Sequence, residues 1–317
     1  MAIGMSRRAS RTATVGGVPV GGASSVTVQS MTNTDTHDVP ATLSAVQALA
    51  DAGCDIVRLA VPDLAAAKTF AALKEAGVTV PLVADIHFDY KIALECIAAG
   101  ADKIRINPGN IGGADRVRAV VAACRARGIP IRIGVNGGSL EKDILAKYGA
   151  PTGEALAESA IAHARLLEAC DFYDTVLSVK SSDVRRMIEA NRILAERTDY
   201  PLHLGVTEAG GEKAGTVKSA VGIGTLLAEG IGDTIRVSLT ADPVREVAAA
   251  REILAALDMN PHRGLTLVSC PTCGRTRIDL IPLLGAFEEA LDREGLRDLP
   301  VKVAFMGCAV NGPGEAL

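Results

Sequence analysis

Ile131-Arg132-Ile133-Gly134-Val135-Asn136 alternates branched apolar residues with residues that do not suit an apolar core. Side chains along a β-strand point to opposite faces in turn. Ile131, Ile133 and Val135 form a face fit to pack against helices, while Arg132 and Asn136 share the other face. The pattern recurs along the chain. Val57, Leu59 and Val61, then Ile104 and Ile106, then Leu177 and Val179, then Ile235, Val237 and Leu239 continue the apolar phase. The opposite phase carries Gln29, Arg58, Asp85, His87, Arg105, Asn107, Lys180, His203, Arg236 and Ser238.

Strand-like runs fall at 26–30, 56–61, 82–87, 104–107, 131–136, 176–180, 203–206 and 235–239. Ala/Leu-rich helical stretches lie between and after them, among them 41–52, 64–76, 115–127, 153–169, 183–197, 216–229 and 243–257. Several end on glycine, as at Gly53 and Gly128, where a left-handed cap is expected. Strand and helix alternating eight times over about 250 residues predict an α/β fold, a (β/α)8 TIM-type barrel. A doubly wound open sheet is the other reading, and the count of eight favours the barrel. In a barrel the apolar phase faces the helices and the polar phase points inward, toward the C-terminal mouth.

The inward phase therefore gathers Arg58, Arg105, Arg132, Lys180 and Arg236 where most barrels hold branched apolar side chains. Buried charges of one sign are costly unless neutralised. Asp85 and Glu208 are too few to balance them. The expected counter-charge is a small ligand carrying two phosphates or a diphosphate, held by guanidinium forks and the Lys180 point charge. Pairing with rim carboxylates is the plainer explanation for any single arginine. Lys180 could instead form a Schiff base. His87 and His203 suit either acid–base work or hydrogen bonding to phosphate. Glu208 could donate a proton near the reaction or simply pair with Lys213. His37 and His163 read as loop and helix-surface residues, and His262 receives no role.

The 317 residues suffice for one large domain and a small one. A net charge of −4, only 3% aromatic residues and no Trp argue against a nucleic-acid surface. Arg7, Arg8 and Arg11 are followed by no apolar segment of signal-peptide type, and no apolar run is long enough for a membrane span. Seven irregularly spaced cysteines do not form a disulfide framework, and Cys54, Cys96, Cys124 and Cys170 read as small core residues. A cytoplasmic protein is expected.

Composition breaks at 258–264, so the domains are expected at 1–260 and 261–317. Beyond the break come a strand at 265–269, a Cys270-Pro271-Thr272-Cys273 turn, a helix at 278–294, a strand at 301–306, and Cys308. A strand–helix–strand unit of this size needs a metal staple. Three thiols with Glu315 nearby suggest a cluster with one weakly held corner; a zinc ribbon lacking a ligand fits the spacing as well. The chain stops at Leu317, so this second domain reads as C-terminally incomplete. The linker leaves the last barrel helix on the face opposite the mouth, and seven residues span at most about 25 Å. A head-to-tail homodimer in which the mouth of one chain meets the thiols of the other is the expected solution.

Several longer motifs accompany these features. They are Val15-Gly16-Gly17-Val18-Pro19-Val20-Gly21-Gly22, Gln29-Ser30-Met31-Thr32-Asn33-Thr34-Asp35-Thr36, Ala84-Asp85-Ile86-His87-Phe88, Lys103-Ile104-Arg105-Ile106-Asn107-Pro108-Gly109-Asn110, Thr207-Glu208-Ala209-Gly210 and Gly307-Cys308 followed by Asn311-Gly312-Pro313-Gly314-Glu315. Together they resemble the bacterial 4-hydroxy-3-methylbut-2-enyl diphosphate synthases of the non-mevalonate isoprenoid pathway, an iron–sulfur enzyme family. The resemblance implies reductive ring opening and dehydration of 2-C-methyl-D-erythritol 2,4-cyclodiphosphate. It implies a 4Fe-4S cluster on Cys270, Cys273, Cys308 and Glu315, with flavodoxin or ferredoxin as electron donor. It also implies a substrate grip of Arg58, His87, Arg105, Asn107, Arg132, Asn136, Lys180, Arg236 and Ser238, an acid–base role for Glu208, and a dimer. Two other readings remain: a barrel aldolase or pterin-type transferase with a structural zinc knuckle, and a non-catalytic phosphometabolite-binding protein.

Overall fold

The computed structural model describes residues 6–260, 264–296, 299–308 and 310. It divides into two compact units, Met1–Leu257 and Asp258–Leu317.

The first unit opens with a hairpin, β1 (Thr12–Val15) and β2 (Val18–Gly21), joined by Gly16 and Gly17. Eight parallel strands follow: β3 (Thr27–Met31), β4 (Ile56–Ala60), β5 (Leu82–Asp85), β6 (Lys103–Ile106), β7 (Ile131–Asn136), β8 (Thr175–Lys180), β9 (His203–Leu204) and β10 (Thr234–Ile235). Hydrogen bonding runs in chain order from β3 to β8, and β10 lies between β9 and β3. Bridges from Leu177 to Leu202 and from Ser181 to Val206 join β8 to β9 and close the barrel. The last two strands are shorter than the sequence suggested. Their pairing continues past the assigned ends, since the Arg236 N–H donates to the Leu204 carbonyl at 2.9 Å.

The helices are α1 (Val39–Asp51), α2 (Leu64–Ala67), α3 (Thr69–Glu75), α4 (Tyr90–Ala98), α5 (Ala114–Arg127), α6 (Lys142–Tyr148), α7 (Gly153–Glu168), α8 (Val184–Arg197), α9 (Glu212–Ala228) and α10 (Pro243–Ala256). The single helix expected at 64–76 is two, meeting at Lys68. Helix starts are fixed by side-chain caps: Asp38, Asp63, Asp89, Thr152, Asp183 and Asp242 each accept first-turn N–H groups. The expected left-handed stop at Gly128 has φ 62°.

The bottom of the barrel is plugged by the hairpin, a role that periodicity did not reveal. Ala13, Val15 and Val20 pack with Ile56, Val83 and Val176 from the strand starts. Arg7 donates to the Gly232 carbonyl and the Asp233 carboxylate, both at 2.9 Å. Arg11 lies 5.3 and 5.1 Å from the ring centres of Tyr173 and Tyr200. The N-terminal arginines thus stitch the base of the barrel.

The second unit holds β11 (Thr266–Ser269), α11 (Leu280–Glu294) and β12 (Lys302–Phe305). Its two strands are parallel, Ser269 beside Phe305, and Phe287 of α11 packs on Phe305 with ring centres 4.9 Å apart.

Candidate active site

The strand register places Asp85, Arg105 and Arg132 side by side on β5, β6 and β7, and Asn136 beside Lys180 on β7 and β8. Their side chains belong to the inward phase, and Asp85, Arg105, Asn107, Arg132 and Lys180 are all buried. Asp85 is the hub. Arg58 Nη2 donates to its Oδ2 at 2.8 Å and Arg105 Nη1 to its Oδ1 at 3.0 Å. Burial alone would raise the Asp85 carboxyl. Arg58 and Arg105, with smaller contributions from His87 and Arg132, outweigh burial and hold it well below the ordinary carboxylate range.

Two inward glycines make room for the long cations. A Cβ on Gly134 would fall 2.5 Å from Arg105 Nε, and one on Gly205 would fall 2.9 Å from Lys180 Nζ. Arg105 Nη2 donates to the Gly134 carbonyl at 3.1 Å. Gly134→Ala should therefore push Arg105 off Asp85 and weaken anion binding about tenfold, the scale of one charge-assisted hydrogen bond. Titration calorimetry with inorganic diphosphate checks this, and an unchanged affinity would show that Arg105 has room to spare.

Sequence reasoning missed two members of the cluster. Lys103 begins β6, one residue before the expected strand, and is fully buried with no hydrogen-bond partner for Nζ. Glu246, in the first turn of α10, is a second interior carboxylate. It accepts from Ser30 Oγ at 2.9 Å and from the Leu239 N–H at 3.0 Å, and lies 3.6 Å from Arg236 Nη2. Even so, among the described residues the only carboxylates paired with Arg58, Lys103, Arg105, Arg132, Lys180 and Arg236 are Asp85 and Glu246. Among the described residues Arg132 Nε and Nη2 have no hydrogen-bond partner. Burial, then the Arg58 and Arg105 charges, lower the Arg132 pKa from its ordinary value. A guanidinium keeps its proton at neutral pH regardless, so the unmet demand is for an anion. Burial, followed by repulsion from Arg236 and Arg132, also lowers the Lys180 pKa. Gln29 Oε1 and Nε2, Asn107 Oδ1 and Ser178 Oγ also lack partners among the described residues. Such a concentration of unsatisfied buried polar atoms marks a site for a polar ligand and ordered water.

The remaining residues separate by depth. His203 is fully buried; its pKa is lowered, first by burial and then by Lys180 and Arg132, which favours a neutral imidazole among the inward cations. His87 is at the rim, its side chain 59% exposed and its Nε2 3.7 Å from Asp85 Oδ2. Ser238 and Asn136 are half-buried. Glu208 is exposed, with φ 52°, an uncommon left-handed conformation for a non-glycine residue. It forms no ion pair with Lys213 among the described residues. His37 bridges Asp35 and Asp63 on two neighbouring loops, at 2.7 and 3.0 Å. His163 is not a surface residue: it is 3% exposed and hydrogen-bonded, because it shares the inward face of α7 with Leu156, Ala160 and Leu167. Cys54, Cys96 and Cys124 are buried as expected, whereas Cys170, just beyond α7, is half-buried.

In the second unit the thiols gather at one end of the strand pair. The Cys270 N–H donates to the Phe305 carbonyl, and the Arg277 N–H to the Gly307 carbonyl, both at 2.9 Å. These bonds bring the Cys270–Cys273 turn alongside Cys308. Arg275 interacts electrostatically with all three sulfurs. The Arg275 backbone N–H, then its side chain, lower the Cys273 pKa and favour the thiolate that a metal ligand requires. Among the described residues no group of three or more His, Cys, Asp or Glu side chains is close enough to hold a metal ion. The three thiol donors are of the kind that an iron–sulfur cluster or zinc takes. Asn311, Glu315 and His262 lie outside the described residues, as does part of the 258–264 linker.

Fold and site thus define a TIM-barrel protein whose interior carries a cluster of buried cations, followed by a second unit that bears three thiols. The chain belongs to the GcpE family: the GcpE TIM-barrel domain matches residues 10–251 and the GcpE protein C-terminal domain matches 266–317. It is 57% identical over 310 residues to a Symbiobacterium thermophilum protein named 4-hydroxy-3-methylbut-2-en-1-yl diphosphate synthase (flavodoxin), covering 98% of this chain and 82% of that one. Proteins of the same name from Pseudomonas putida and Clostridium perfringens are 58% and 56% identical, each over 98% of this chain and over 83% and 88% of their own. Among solved structures, the type I 3-dehydroquinate dehydratase of Clostridium difficile superposes with a TM-score of 0.58 at 12% identity, over 78% of this chain and 98% of that one. The dihydropteroate synthase of Thermus thermophilus does so at 0.55 and 17%, again over 78% and 98%. These two share the barrel fold.

Proposed function

We propose that this chain catalyses the reductive ring opening and dehydration of 2-C-methyl-D-erythritol 2,4-cyclodiphosphate to 4-hydroxy-3-methylbut-2-enyl diphosphate. The observation that carries this reading is the excess of buried cations over carboxylates in the barrel. A cyclic diphosphate supplies the missing negative charge, and its phosphate oxygens match guanidinium forks. The relatives named for this activity support the same substrate class. Neither the aldolase or pterin-type reading nor the ligand-sensor reading draws comparable support.

Two electrons and two protons enter and one water leaves. One carbon–oxygen bond to phosphate opens the ring, its oxygen staying on the diphosphate, and a second carbon–oxygen bond releases the hydroxyl. Arg58, Arg105, Arg132, Lys180 and Arg236 grip the phosphates, with His87, Asn107, Asn136 and Ser238 completing the hydrogen bonds. Neutralising them in a dry, fixed polar setting orients the ring and holds the diphosphate while it becomes the leaving side of the opened ring. Glu208, exposed at the mouth, supplies the proton that turns the departing hydroxyl into water. Cys270, Cys273, Cys308 and Glu315 would hold a 4Fe-4S cluster, which when bound supplies the two electrons one at a time. Flavodoxin, as in the relatives' names, or ferredoxin delivers them. All seven cysteines are unpaired, and no helix among the described residues is long and apolar enough to cross a membrane. We place the enzyme in the reducing cytoplasm.

Arg132→Met should weaken binding of the cyclic diphosphate by about 1.5–3 kcal/mol, the scale of charge-assisted hydrogen bonds. Arg118→Met, on the outer surface of α5, should leave binding unchanged. Calorimetry decides between them: equal effects at both positions would remove the barrel interior as the binding site.

The short linker also favours a homodimer whose sites each combine the barrel of one chain with the thiols of the other. Glu208→Ala and Cys270→Ser variants should each be inactive alone. Mixed under conditions that exchange subunits, they should recover about a quarter of wild-type activity, because half the dimers are mixed and each keeps one intact site of two. A dead mixture in which mass spectrometry finds mixed dimers would mean that each chain uses its own thiols.

A further inference from the structure

Asn107, the residue after β6, opens a tight loop, Asn107-Pro108-Gly109-Asn110, closed by the Asn110 N–H donating to the Asn107 carbonyl at 2.8 Å. Asn107 is 4% exposed and its Oδ1 has no partner among the described residues. That oxygen can accept from a ligand or an ordered water, and its position depends on how the loop is held. The holding contact comes from α7. The Gly109 N–H donates to His163 Nδ1 at 3.1 Å. On the other side of the ring, His163 Nε2 pairs with Glu141 Oε1, and Glu141 Oε2 accepts from Ser159 Oγ at 2.8 Å.

This arrangement fixes the tautomer. Nδ1 accepts, so the proton sits on Nε2, where it is donated to Glu141; an imidazolium would lose the Gly109 bond. Burial lowers the His163 pKa, against the smaller opposing pull of Glu141, and so preserves the neutral ring. The fit is also steric: a Cβ on Gly109 would fall 2.5 Å from His163 Cε1. Glu141 follows the turn that leads out from Asn136, the polar side chain ending the neighbouring strand. One imidazole thus joins the loops beyond β6 and β7.

We propose that His163 is a positioning residue for the anion site: held from behind by Glu141 and Ser159, it presents a fixed acceptor to the Gly109 N–H and so keeps Asn107 at the spacing the diphosphate requires. The inference rests on the reading of the barrel mouth as the substrate site.

Three substitutions separate the contacts. His163→Asn places an amide oxygen near the Nδ1 position and retains an acceptor for Gly109. His163→Gln places its amide near Nε2, reaching Glu141 but leaving the Gly109 N–H without its partner. His163→Phe keeps the bulk and removes both contacts. Calorimetric affinity for the cyclic diphosphate, measured beside thermal stability, should show the Asn variant within about threefold of wild type and the Gln and Phe variants about tenfold weaker, the worth of one hydrogen bond. Gly109→Ala, which drives the loop away without altering α7, should reproduce the tenfold loss even if a His163 variant folds poorly. Wild-type affinity in the Gln variant and in Gly109→Ala would overturn the proposal, as would losses that follow thermal stability alone. Failure of the wild-type protein to bind the cyclic diphosphate would instead overturn the reading of the site on which the proposal rests.

Discussion

Asp85→Asn should lower folding stability at neutral pH by about 3–5 kcal/mol, the cost of leaving a buried charge uncompensated. Asp85 is 2% exposed and is the carboxylate shared by Arg58 and Arg105. Removing its charge leaves both guanidiniums without that partner and within electrostatic reach of Arg132. Because these cations depress the Asp85 pKa in the fold, its contribution is complete above the unfolded carboxylate pKa of about 3.9 and is lost only as pH falls below it. The deficit of the variant should therefore be constant between about pH 5 and pH 8. Saturating inorganic diphosphate should recover part of it by restoring negative charge. Denaturant unfolding with and without diphosphate measures both effects. A loss below about 1 kcal/mol would mean that the arginines find other partners and that Asp85 is no hub.

Cys308→Ser should abolish turnover and the brown colour of anaerobically reconstituted protein. Replacing even an outer partner of a metal ligand typically costs about 10–100-fold, so losing a ligand should cost on the order of 100-fold or more. Glu315→Ala should keep much of the colour and lose turnover, since a carboxylate corner is the one a substrate oxygen can replace. Wild-type protein should bind about four irons and four sulfides per chain. Stoichiometric zinc without sulfide in freshly isolated protein would contradict the cluster.

The barrel and most of its inward cations were legible because both follow from a two-residue period. Arg58, Arg105, Arg132 and Lys180 stand out as cations in phase with one another against a constant apolar partner phase. Lys103 was hidden by a boundary: a lysine at the start of a strand reads as a solvated end, although 103, 105 and 107 share one phase. Glu246 was hidden by helix chemistry. A glutamate in the first turn of α10 looks like a partner for the helix dipole, and only the fold turns it toward Ser30 and Arg236. His163 could have been found from its place on a stripe with Leu156, Ala160 and Leu167. The N-terminal hairpin escaped because two four-residue strands carry too little periodicity, although its Gly16-Gly17 pair, at φ 53° and 90°, is a hairpin-turn signal. The thiol spacing of the second unit was plain in the sequence. What it could not convey is that the parallel register of β11 and β12 sets Cys270 beside the chain leading to Cys308.

The most direct test of the account is a single-turnover experiment. The protein, reconstituted anaerobically and supplied with reduced flavodoxin, is mixed with 2-C-methyl-D-erythritol 2,4-cyclodiphosphate and followed by phosphorus NMR. The account predicts conversion of the cyclic diphosphate to the linear allylic diphosphate, with two electrons consumed for each product formed. Substrate bound in the barrel but left unchanged by cluster-loaded, fully reduced protein would contradict it.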